Sequence, residues 1–489
     1  MRDYSFGNFI SAMRERTGLS QYQLGALVGV TDKAVSKWEN GVSKPRIGII
    51  RKLSEVLDVG VDELLTCEYD TFNKDRKDLF AMRNEILDVA KKKLKELYGD
   101  NPPMRIKNRF KTEELMLNGQ DSLLWMGFLG ELQDVFYKEK AYFEVRGAQM
   151  GASFIAWVLG GTNVNPLPAH YYCPACKKVE FVPNVNCGID LPDKMCCCGE
   201  RYHKDGFGID AANMYPFSKW NELYVSSNGT ELVKQCMQEY FKGYGELREI
   251  EINYDGIEVS FSYEVKTTRI GVFSKEVNKR YPEGKIVLCP EEFSLLLQEV
   301  SAVTIIENIE EPMDMQEISN TELTAQHVID YFNYAVANNV FDEKVYNVNV
   351  KKLLSDMKSP SFSELLTVYG FLHSTGAWEE NAELLYDKGV PLTAMISCRE
   401  DVYAYLYSKL QGKCCENPSG LVFEIKEAVR KGRYRNWGMP EEIENLLLEC
   451  DIPEWYVESM KKIMYLFPKA HLVVLLKRDI CNFVRMNKE

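Results

Sequence analysis

The chain has 489 residues, 45% hydrophobic and 12% aromatic, with a formal net charge of −13. This composition predicts a globular protein of roughly two to four domains and excludes a wholly disordered chain. Because no run of about eighteen apolar residues and no apolar leader with a cleavage site is found, we expect a cytoplasmic protein without a membrane partner.

The charge is unevenly distributed. Residues 1–66 carry nine basic and eight acidic side chains, about +1, so the remainder carries about −14. This balance argues against a large non-specific DNA clamp, since phosphate neutralisation needs clustered Lys and Arg. Fourteen Cys in a chain without an export signal indicate a reducing compartment. There, clustered Cys more often bind metal than form disulfides, and we expect the scattered ones to be ordinary thiols.

Residues 1–66, called the head below, show apolar periodicity and capping residues typical of short helices. Ser20 with Gln23 three residues later forms a capping box, and Thr31 caps the following helix. Two short helices joined by a tight turn and flanked by others form the helix-turn-helix arrangement. The predicted helices span residues 6–16, 20–30, 32–41, 47–57 and 61–65.

Residues 19–45, LSQYQLGALVGVTDKAVSKWENGVSKP, resemble the Cro/C1 repressor family. The resemblance implies that the third helix enters the major groove of a double-stranded operator and that the protein is a homodimer. Val35 and Trp38 should be core. A packing module that has lost its DNA role remains the alternative. Base edges would be contacted by Asp32, Lys33, Ala34 and Lys37. Phosphates would be contacted by Gln21, Asn40, Ser43 and Lys44.

Residues 67–77 are polar and predict a linker. Residues 78–98 have the apolar spacing of a helix, and GDNPP at 99–103 ends it. A further helix is predicted over residues 113–138.

Two groups of Cys have the spacing of a zinc site. Cys173 and Cys176 form a C-x2-C knuckle, and the trio 196–198 follows after nineteen intervening residues. The pattern predicts structural zinc held by Cys173, Cys176, Cys196 and Cys198. Cys187 or His203 could substitute for one ligand, and a reduced, metal-free cluster remains open.

Several motifs resemble the PolC-type replicative DNA polymerase of Gram-positive bacteria. They are VRGAQMGASF (145–154), VNPLPAHYYCPACKKVEF (164–181), GIDLPDKMCCCGE (188–200), SFSELLTVYGFLHSTGAW (361–378) and IPEWYVESMKKIMYLFPKAH (452–471). The resemblance implies a multidomain protein: an all-α head, then an α/β palm-like region over residues 78–355 with a zinc knuckle at 173–198. A mostly helical, fingers-like region over residues 356–489 would follow.

The metal-binding carboxylates of that family are not evident. The family places an Asp-x-Asp pair in PDIDLNF, whereas residues 217–229 here read FSKWNELYVSSNG, with Glu222 as the only acid. No Asp-x-Asp pair occurs anywhere in the chain. We therefore expect no catalytic residues and no polymerase activity. Mg²⁺ would be needed only by a diverged polymerase that uses Glu222 with acids such as Asp210 or Asp255.

Other positions match residues that lie near nucleotide or DNA in the family. They would form a relic phosphate pocket or simply support the fold, and we favour the second: Arg146, His373, Arg399, Arg430, Lys431, Lys469 and His471.

The sequence thus predicts a DNA-binding, transcription-regulator-like protein. Its polymerase-like body would be catalytically inactive and used for interaction, with a replication protein or a nucleotide as its partner. The alternatives are a diverged DNA-directed DNA polymerase and a replication or host-takeover factor. By resemblance, such a fusion suits a mobile element of a Gram-positive bacterium.

Overall fold

The structure is a computed structural model. It describes residues 4–57, 59, 76–117, 122–139, 141, 143–146, 148–214, 220–225, 229–240, 251–254, 257–265, 268–275, 300–307, 322–412 and 418–487. Within these ranges the head is helical, and the rest, called the body, is mostly helical with two sheets.

The α-helices of the described residues are α1 (Tyr4–Arg16), α2 (Gln21–Val28), α3 (Asp32–Glu39), α4 (Ile47–Leu57), α5 (Arg76–Tyr98), α6 (Met104–Met116), α7 (Ser122–Lys138), α8 (Ala148–Ala152), α9 (Phe154–Leu159), α10 (Gly229–Tyr240), α11 (Ala325–Ala337), α12 (Glu343–Tyr346), α13 (Lys351–Asp356), α14 (Phe362–His373), α15 (Glu383–Asp387), α16 (Arg399–Leu410), α17 (Pro418–Arg430), α18 (Arg433–Trp437), α19 (Glu441–Glu449), α20 (Glu454–Lys462) and α21 (Lys469–Met486).

The strands form one larger and one smaller sheet. The larger sheet is mixed, with order β1-β5-β9-β8-β7-β6, and the smaller is antiparallel, with order β3-β2-β4. The strands are β1 (Phe143–Arg146), β2 (His170–Tyr172), β3 (Val179–Phe181), β4 (His203–Asp205), β5 (Trp220–Val225), β6 (Glu251–Tyr254), β7 (Ile257–Val265), β8 (Thr268–Lys275) and β9 (Val300–Glu307).

The head contains the expected short helices around its own apolar core. Ser20 and Gln23 form the predicted capping box, and the Thr31 hydroxyl accepts a hydrogen bond from the Ala34 N–H at 3.3 Å. Val35 and Trp38 belong to the core, as predicted. The predicted helix at 61–65 lies outside the described residues.

The larger apolar core of the described body runs from Met82 on α5 to Val484 on α21. Helix α5 begins at Arg76, inside the predicted linker, and the rest of that linker lies outside the described residues. The helix expected at 113–138 was wrong in its bounds, because α6 ends at Met116 and α7 begins at Ser122. Helix α11 begins at Ala325, upstream of the predicted fingers-like region.

A buried carboxylate fixes the start of α9. Glu113 is fully buried, and its two oxygens accept hydrogen bonds from the backbone N–H groups of Phe154 at 2.8 Å and Ile155 at 3.0 Å. Arg109 donates a hydrogen bond to the same carboxylate at 2.5 Å and another to the carbonyl of Ala152 at 2.6 Å. The first N–H groups of a helix lack partners within it, so this carboxylate satisfies donors that α9 cannot.

The same device recurs at two later helices. Asp190 accepts hydrogen bonds from the backbone N–H groups of Phe362 at 2.7 Å and Ser363 at 3.0 Å, at the start of α14. Glu400 accepts one from the Lys469 N–H at 2.7 Å, at the start of α21. These contacts join segments far apart in the chain.

Two further observations bear on the sequence analysis. Among the described residues, no helix combines the length and the apolarity needed to cross a bilayer. Cys450 is disulfide-bonded, so the expectation that it is an ordinary thiol was wrong.

We predict that Glu113→Gln lowers the free energy of unfolding of the body by about 3 kcal/mol or more, because it leaves the half-buried Arg109 without its anion. Denaturant unfolding followed by circular dichroism measures this loss. The neighbouring Glu114, which pairs with Lys91 at 2.8 Å near the surface, supplies the control, and Glu114→Gln should cost under about 1 kcal/mol. Equal effects of the two substitutions would contradict the role given to Glu113.

Candidate nucleic-acid interface and metal centre

Helices α2 and α3 of the head present the predicted contact residues. Gly29 ends α2 in the left-handed conformation, with φ of 79°, which turns the chain sharply into α3. Asp32, Lys33 and Lys37 are exposed on α3, and Ala34 is half-buried beside them. The exposed face of α3 is therefore polar, while its opposite face is part of the head core.

The predicted phosphate-contacting residues divide into two kinds. Gln21 and Asn40 already have partners: the Gln21 side chain donates to the Glu39 carboxylate at 2.7 Å, and the Asn40 side chain donates to the Ser36 carbonyl at 2.8 Å. Ser43 and Lys44 are exposed after α3, and the Lys44 ammonium lies 5.5 Å from the centre of the Phe6 ring. These last two side chains are placed at the surface, whereas the first two also hold the local structure.

Sequence reasoning missed the group that organises this region. The Glu39 carboxylate accepts hydrogen bonds from Arg14 at 2.5 Å and from Gln21, so α1, α2 and α3 share one buried anion. Gly7 on α1 has no room for a side chain, since a Cβ there would lie 2.3 Å from the Glu39 carbonyl oxygen. The acid in the WEN segment was the available signal.

The second site lies in residues 169–205, called the cysteine module, which contain β2, β3, β4 and a small apolar core. Each Cys segment folds into a tight turn. The Cys173 N–H donates to the Lys178 carbonyl at 2.8 Å, and Lys177 adopts a φ of 63° to close the first turn. The Cys196 N–H donates to the Glu200 carbonyl at 2.8 Å, with Gly199 at φ 90° in the second.

The two turns bring the four predicted cysteines together. The Sγ atoms of Cys173 and Cys198 lie 3.5 Å apart, and those of Cys176 and Cys196 lie 3.4 Å apart. All four Sγ atoms are within 4.8 Å of one another, an arrangement that could hold a metal ion. For comparison, a Zn–S distance of 2.3 Å in a tetrahedron places the sulfurs about 3.8 Å apart. We call these four residues the cysteine cluster.

The protonation of the cluster follows its hydrogen bonds. The Cys198 N–H and then the Tyr202 hydroxyl lower the pKa of Cys196 to about 6. The Lys178 N–H acts to lower the pKa of Cys176. The contacts of the Cys176 thiol with the neighbouring cysteine sulfurs nevertheless raise this pKa to about 12. Four thiolates this close would repel one another, so full ionisation requires a cation among them.

The alternative ligands lie outside the cluster. Cys187 is fully buried elsewhere, and burial raises its pKa to about 11. His203 is exposed and stacks on Tyr172 with ring centroids 5.1 Å apart. Cys197, the middle member of the trio, is exposed, and its Sγ lies 4.0 Å from that of Cys196.

A charged network braces the module. Glu180 on β3 accepts hydrogen bonds from Lys194 and from the Tyr202 hydroxyl, the latter at 2.8 Å. The hydrogen bond from Lys194 is the main cause that lowers the pKa of Glu180 to about 2. Tyr202 thus joins the second Cys turn to β3, a role that the sequence alone did not indicate.

Arg399 and Lys469, two of the relic positions, face carboxylates of the protein itself. Arg399 is buried, donates to the Glu400 carboxylate at 2.8 Å and approaches the Asn213 carbonyl at 3.3 Å. The Glu400 carboxylate also accepts a hydrogen bond from the backbone N–H of Lys469. Burial, together with the charge of Arg399, lowers the pKa of the nearby Lys426 to about 8.

Arg430 and Lys431 have a similar partner. The Glu427 carboxylate accepts two hydrogen bonds from Arg430, at 2.5 and 2.6 Å, and lies 3.4 Å from the Lys431 ammonium. Partial burial would raise the pKa of Glu427, but these cations hold it at about 2. The sequence analysis missed this acid, although its spacing of three and four residues on a helix was the signal.

His373 and His471 both contact one aromatic ring. Their centroids are 5.2 and 4.8 Å from that of Phe467. Arg146 lies at the end of β1, where its backbone pairs with that of Glu222 on β5. Apart from Arg146, the relic positions adjoin residues 466–471: the Arg399 N–H donates to the Phe467 carbonyl at 3.1 Å, and the Leu466 N–H donates to the Arg430 carbonyl at 3.2 Å.

The register of the larger sheet shows where Glu222 lies, in the segment that has no Asp-x-Asp pair. Glu222 pairs with Arg146 on β1 and with Thr304 on β9. The Asp210 carboxylate accepts the Ala212 N–H at 2.9 Å, and Asp255 lies outside the described residues. Among the residues with described side chains, the cysteine cluster is the one group of three or more possible metal ligands.

These features define a helix-turn-helix head joined to a body with a cysteine cluster that could hold a metal ion. The family model described as helix-turn-helix matches residues 10–64. The PolC-type DNA polymerase III of Bacillus cereus is 28% identical over 464 residues, covering 79% of this chain and 31% of that protein. The PolC-type enzymes of Clostridium perfringens and Listeria welshimeri are 26% and 27% identical, covering 80% and 84% of this chain.

The chain thus has a Cro/C1-type helix-turn-helix domain at its N-terminus and a body homologous, at low identity, to PolC-type DNA polymerase III. It spans 31–32% of the length of these relatives.

Proposed function

We propose that this protein is a sequence-specific DNA-binding regulator whose polymerase-like body has no nucleotidyl-transfer activity. The body would serve interaction, recognising a replication protein or a nucleotide. The observation that carries the proposal is the exposed polar face of α3, formed by Asp32, Lys33 and Lys37, on a head that matches the helix-turn-helix model.

In this proposal α3 enters the major groove. Lys33 and Lys37 donate to base acceptors, and Asp32 and Ala34 complete the base-facing surface. Ser43 and Lys44 contact the phosphate backbone, and Gln21 and Asn40 add backbone contacts through their remaining hydrogen-bonding capacity. Two copies bound to a palindromic operator would place the two α3 helices one DNA turn apart.

We predict that Lys33→Ala weakens binding to the operator about tenfold to a hundredfold, since a base-contacting side chain contributes about 1–3 kcal/mol. The operator is first selected from a random duplex library with the full chain, and binding is then measured by fluorescence anisotropy. Lys107→Ala, an equal loss of charge on the exposed surface of α6, should leave affinity unchanged. Failure to enrich any duplex sequence would overturn the regulator proposal.

The inactivity of the body is supported by charge arrangement. Two-metal nucleotidyl transfer needs carboxylates that converge on shared ions. Glu222 pairs in register with Arg146 and Thr304, neither of which is acidic. Arg399 and Arg430 are paired with Glu400 and Glu427, so much of their charge is already offset.

The similarity to PolC-type polymerases favours a second candidate, a diverged DNA-directed DNA polymerase. This enzyme would need Mg²⁺ held by Glu222 with other acids. A replication or host-takeover factor that tethers the body to an origin is a third candidate, distinguished by its protein partners.

We predict no primer extension above background with purified protein, Mg²⁺ or Mn²⁺ and all four dNTPs. The preparation should be shown to bind its operator, so that a negative result comes from folded protein. Extension that disappears in Glu222→Ala would establish the polymerase and overturn the assignment of an inactive body.

We further infer that the cysteine cluster holds a structural zinc ion through Cys173, Cys176, Cys196 and Cys198. The geometry fits four thiolates, and the closed ligand set leaves no position for a substrate. When bound, the ion would supply the positive charge that four adjacent thiolates require and would fix the two turns of the cysteine module together.

We predict one zinc ion per chain by elemental analysis, and its loss in Cys198→Ser with a lowered melting temperature of the body. Cys197→Ser removes the adjacent thiol and should keep the ion, which makes it a matched control. Retention of zinc by Cys198→Ser together with its loss from Cys197→Ser would show that the ligand was assigned to the wrong member of the trio.

A further inference from the structure

A cavity of about 480 Å³ lies between the cysteine module and the helical part of the body. Its lining includes Tyr172 on β2, Asp205 on β4, Trp157 on α9 and Lys477 on α21, together with Asn163. The volume is in the range of small-molecule sites. None of the four cluster cysteines and none of the relic positions lines it, so it is a separate place in the fold.

Two lysines line this cavity, and Lys204 is already paired with Asp193 at 2.9 Å, which leaves Lys477 as the cation offered to a ligand. The Lys477 ammonium donates to the Asn163 carbonyl at 2.9 Å and lies 5.8 Å from the centre of the Phe207 ring. In the part of the chain that the structure describes, it makes no salt bridge to a carboxylate. Burial lowers the pKa of Lys477, although the charge of Asp205 acts in the opposite direction. An anionic group in the cavity would stabilise this ammonium.

The same cavity offers one buried acceptor without a donor and one carboxylate. The side-chain oxygen of Asn163 is buried and has no hydrogen-bond partner among the described residues. A buried acceptor without a donor carries a free-energy penalty that a ligand N–H group would remove. The Asp205 carboxylate accepts from Asn165 at 2.9 Å and Gly206 at 2.7 Å, and as an acceptor-only group it retains room for a cation.

Flat side chains form another part of the lining. Tyr172 and His203 are stacked with an interplanar angle of 18°, and Trp157 also faces the cavity. Aromatic surfaces of this kind favour a planar ring in the ligand. Glu322 adds a second carboxylate, paired with Arg201 at 3.5 Å, which disfavours a ligand whose only charge is negative.

We propose that this cavity binds a small zwitterion with a planar ring, which is the chemistry of a free aromatic amino acid. The ligand carboxylate pairs with Lys477, its ammonium donates to the Asn163 side-chain oxygen and to Asp205, and its ring lies against Tyr172 and Trp157. The site does not depend on DNA binding by the head.

Isothermal titration calorimetry on the zinc-loaded full chain tests the proposal with L-tryptophan, L-tyrosine and L-phenylalanine. Tryptamine and indole-3-propionate each carry only one of the two charges, and AMP and GMP represent anionic ring compounds. We expect at least one amino acid to bind. The single-charge analogues and the nucleotides should bind at least about tenfold more weakly, because each loses a charged hydrogen bond.

Two variants connect the binding to the cavity. Lys477→Met and Asn163→Leu should each weaken amino-acid binding about tenfold or more, whereas Lys92→Met on the exposed surface of α5 should not change it. Circular dichroism checks that each variant is folded, and the ligand series on the unmodified chain decides the matter if one is not. The proposal is overturned if no amino acid binds, if nucleotides or single-charge analogues bind equally well, or if both folded variants bind normally.

Discussion

The body depends on buried or half-buried carboxylates that satisfy the first N–H groups of its helices. Glu113 caps α9, Asp190 caps α14 and Glu400 caps α21, each from another segment of the chain. Asp190 is 172 residues from Phe362, whose N–H it accepts, so one hydrogen bond joins the cysteine module to the C-terminal helices. Because uncapped helix ends inside a core leave donors unpaired, these acids determine where the helices can begin and how distant segments meet.

The same acids change what the body can bind. Helix N-termini and nearby Arg or Lys side chains form anion sites in proteins that handle phosphates. Here α21 begins on Glu400, Arg399 pairs with that same residue, and Arg430 pairs with Glu427. A phosphate entering this region would have to displace internal carboxylates. The body charge of about −14 acts in the same direction, which is the physical basis for assigning DNA contact to the head.

Local features were the most predictable from sequence. The capping box of Ser20 and the cap of Thr31 depend on residues within one turn of the helix, so the starts of α2 and α3 were predicted to within one residue. The spacing of Cys173, Cys176 and the trio also indicated the cluster, because short turns bring such residues together. The end of the helix at Met116 was missed although Asn-Gly-Gln-Asp at residues 118–121 interrupts the apolar pattern and contains a turn dipeptide. The acidic partners of Arg399 and Arg430 were missed because these side chains were considered as ligands of a phosphate and not as partners of neighbouring carboxylates.

The cavity was beyond sequence analysis for a different reason. Asn163 and Lys477 are 314 residues apart, and neither belongs to a recognisable motif. What joins them is the hydrogen bond from the Lys477 ammonium to the Asn163 backbone carbonyl. The cysteine module supplies another wall, since β2 leads directly into Cys173 and β4 follows the second Cys turn. Tyr172 and Asp205, the ends of those strands, line the cavity. A metal that fixes the two turns therefore also fixes one cavity wall, and Asp190, in the same module, fixes the start of α14. Thermodynamic linkage follows: whatever binds the cavity better when the turns are ordered also strengthens metal binding.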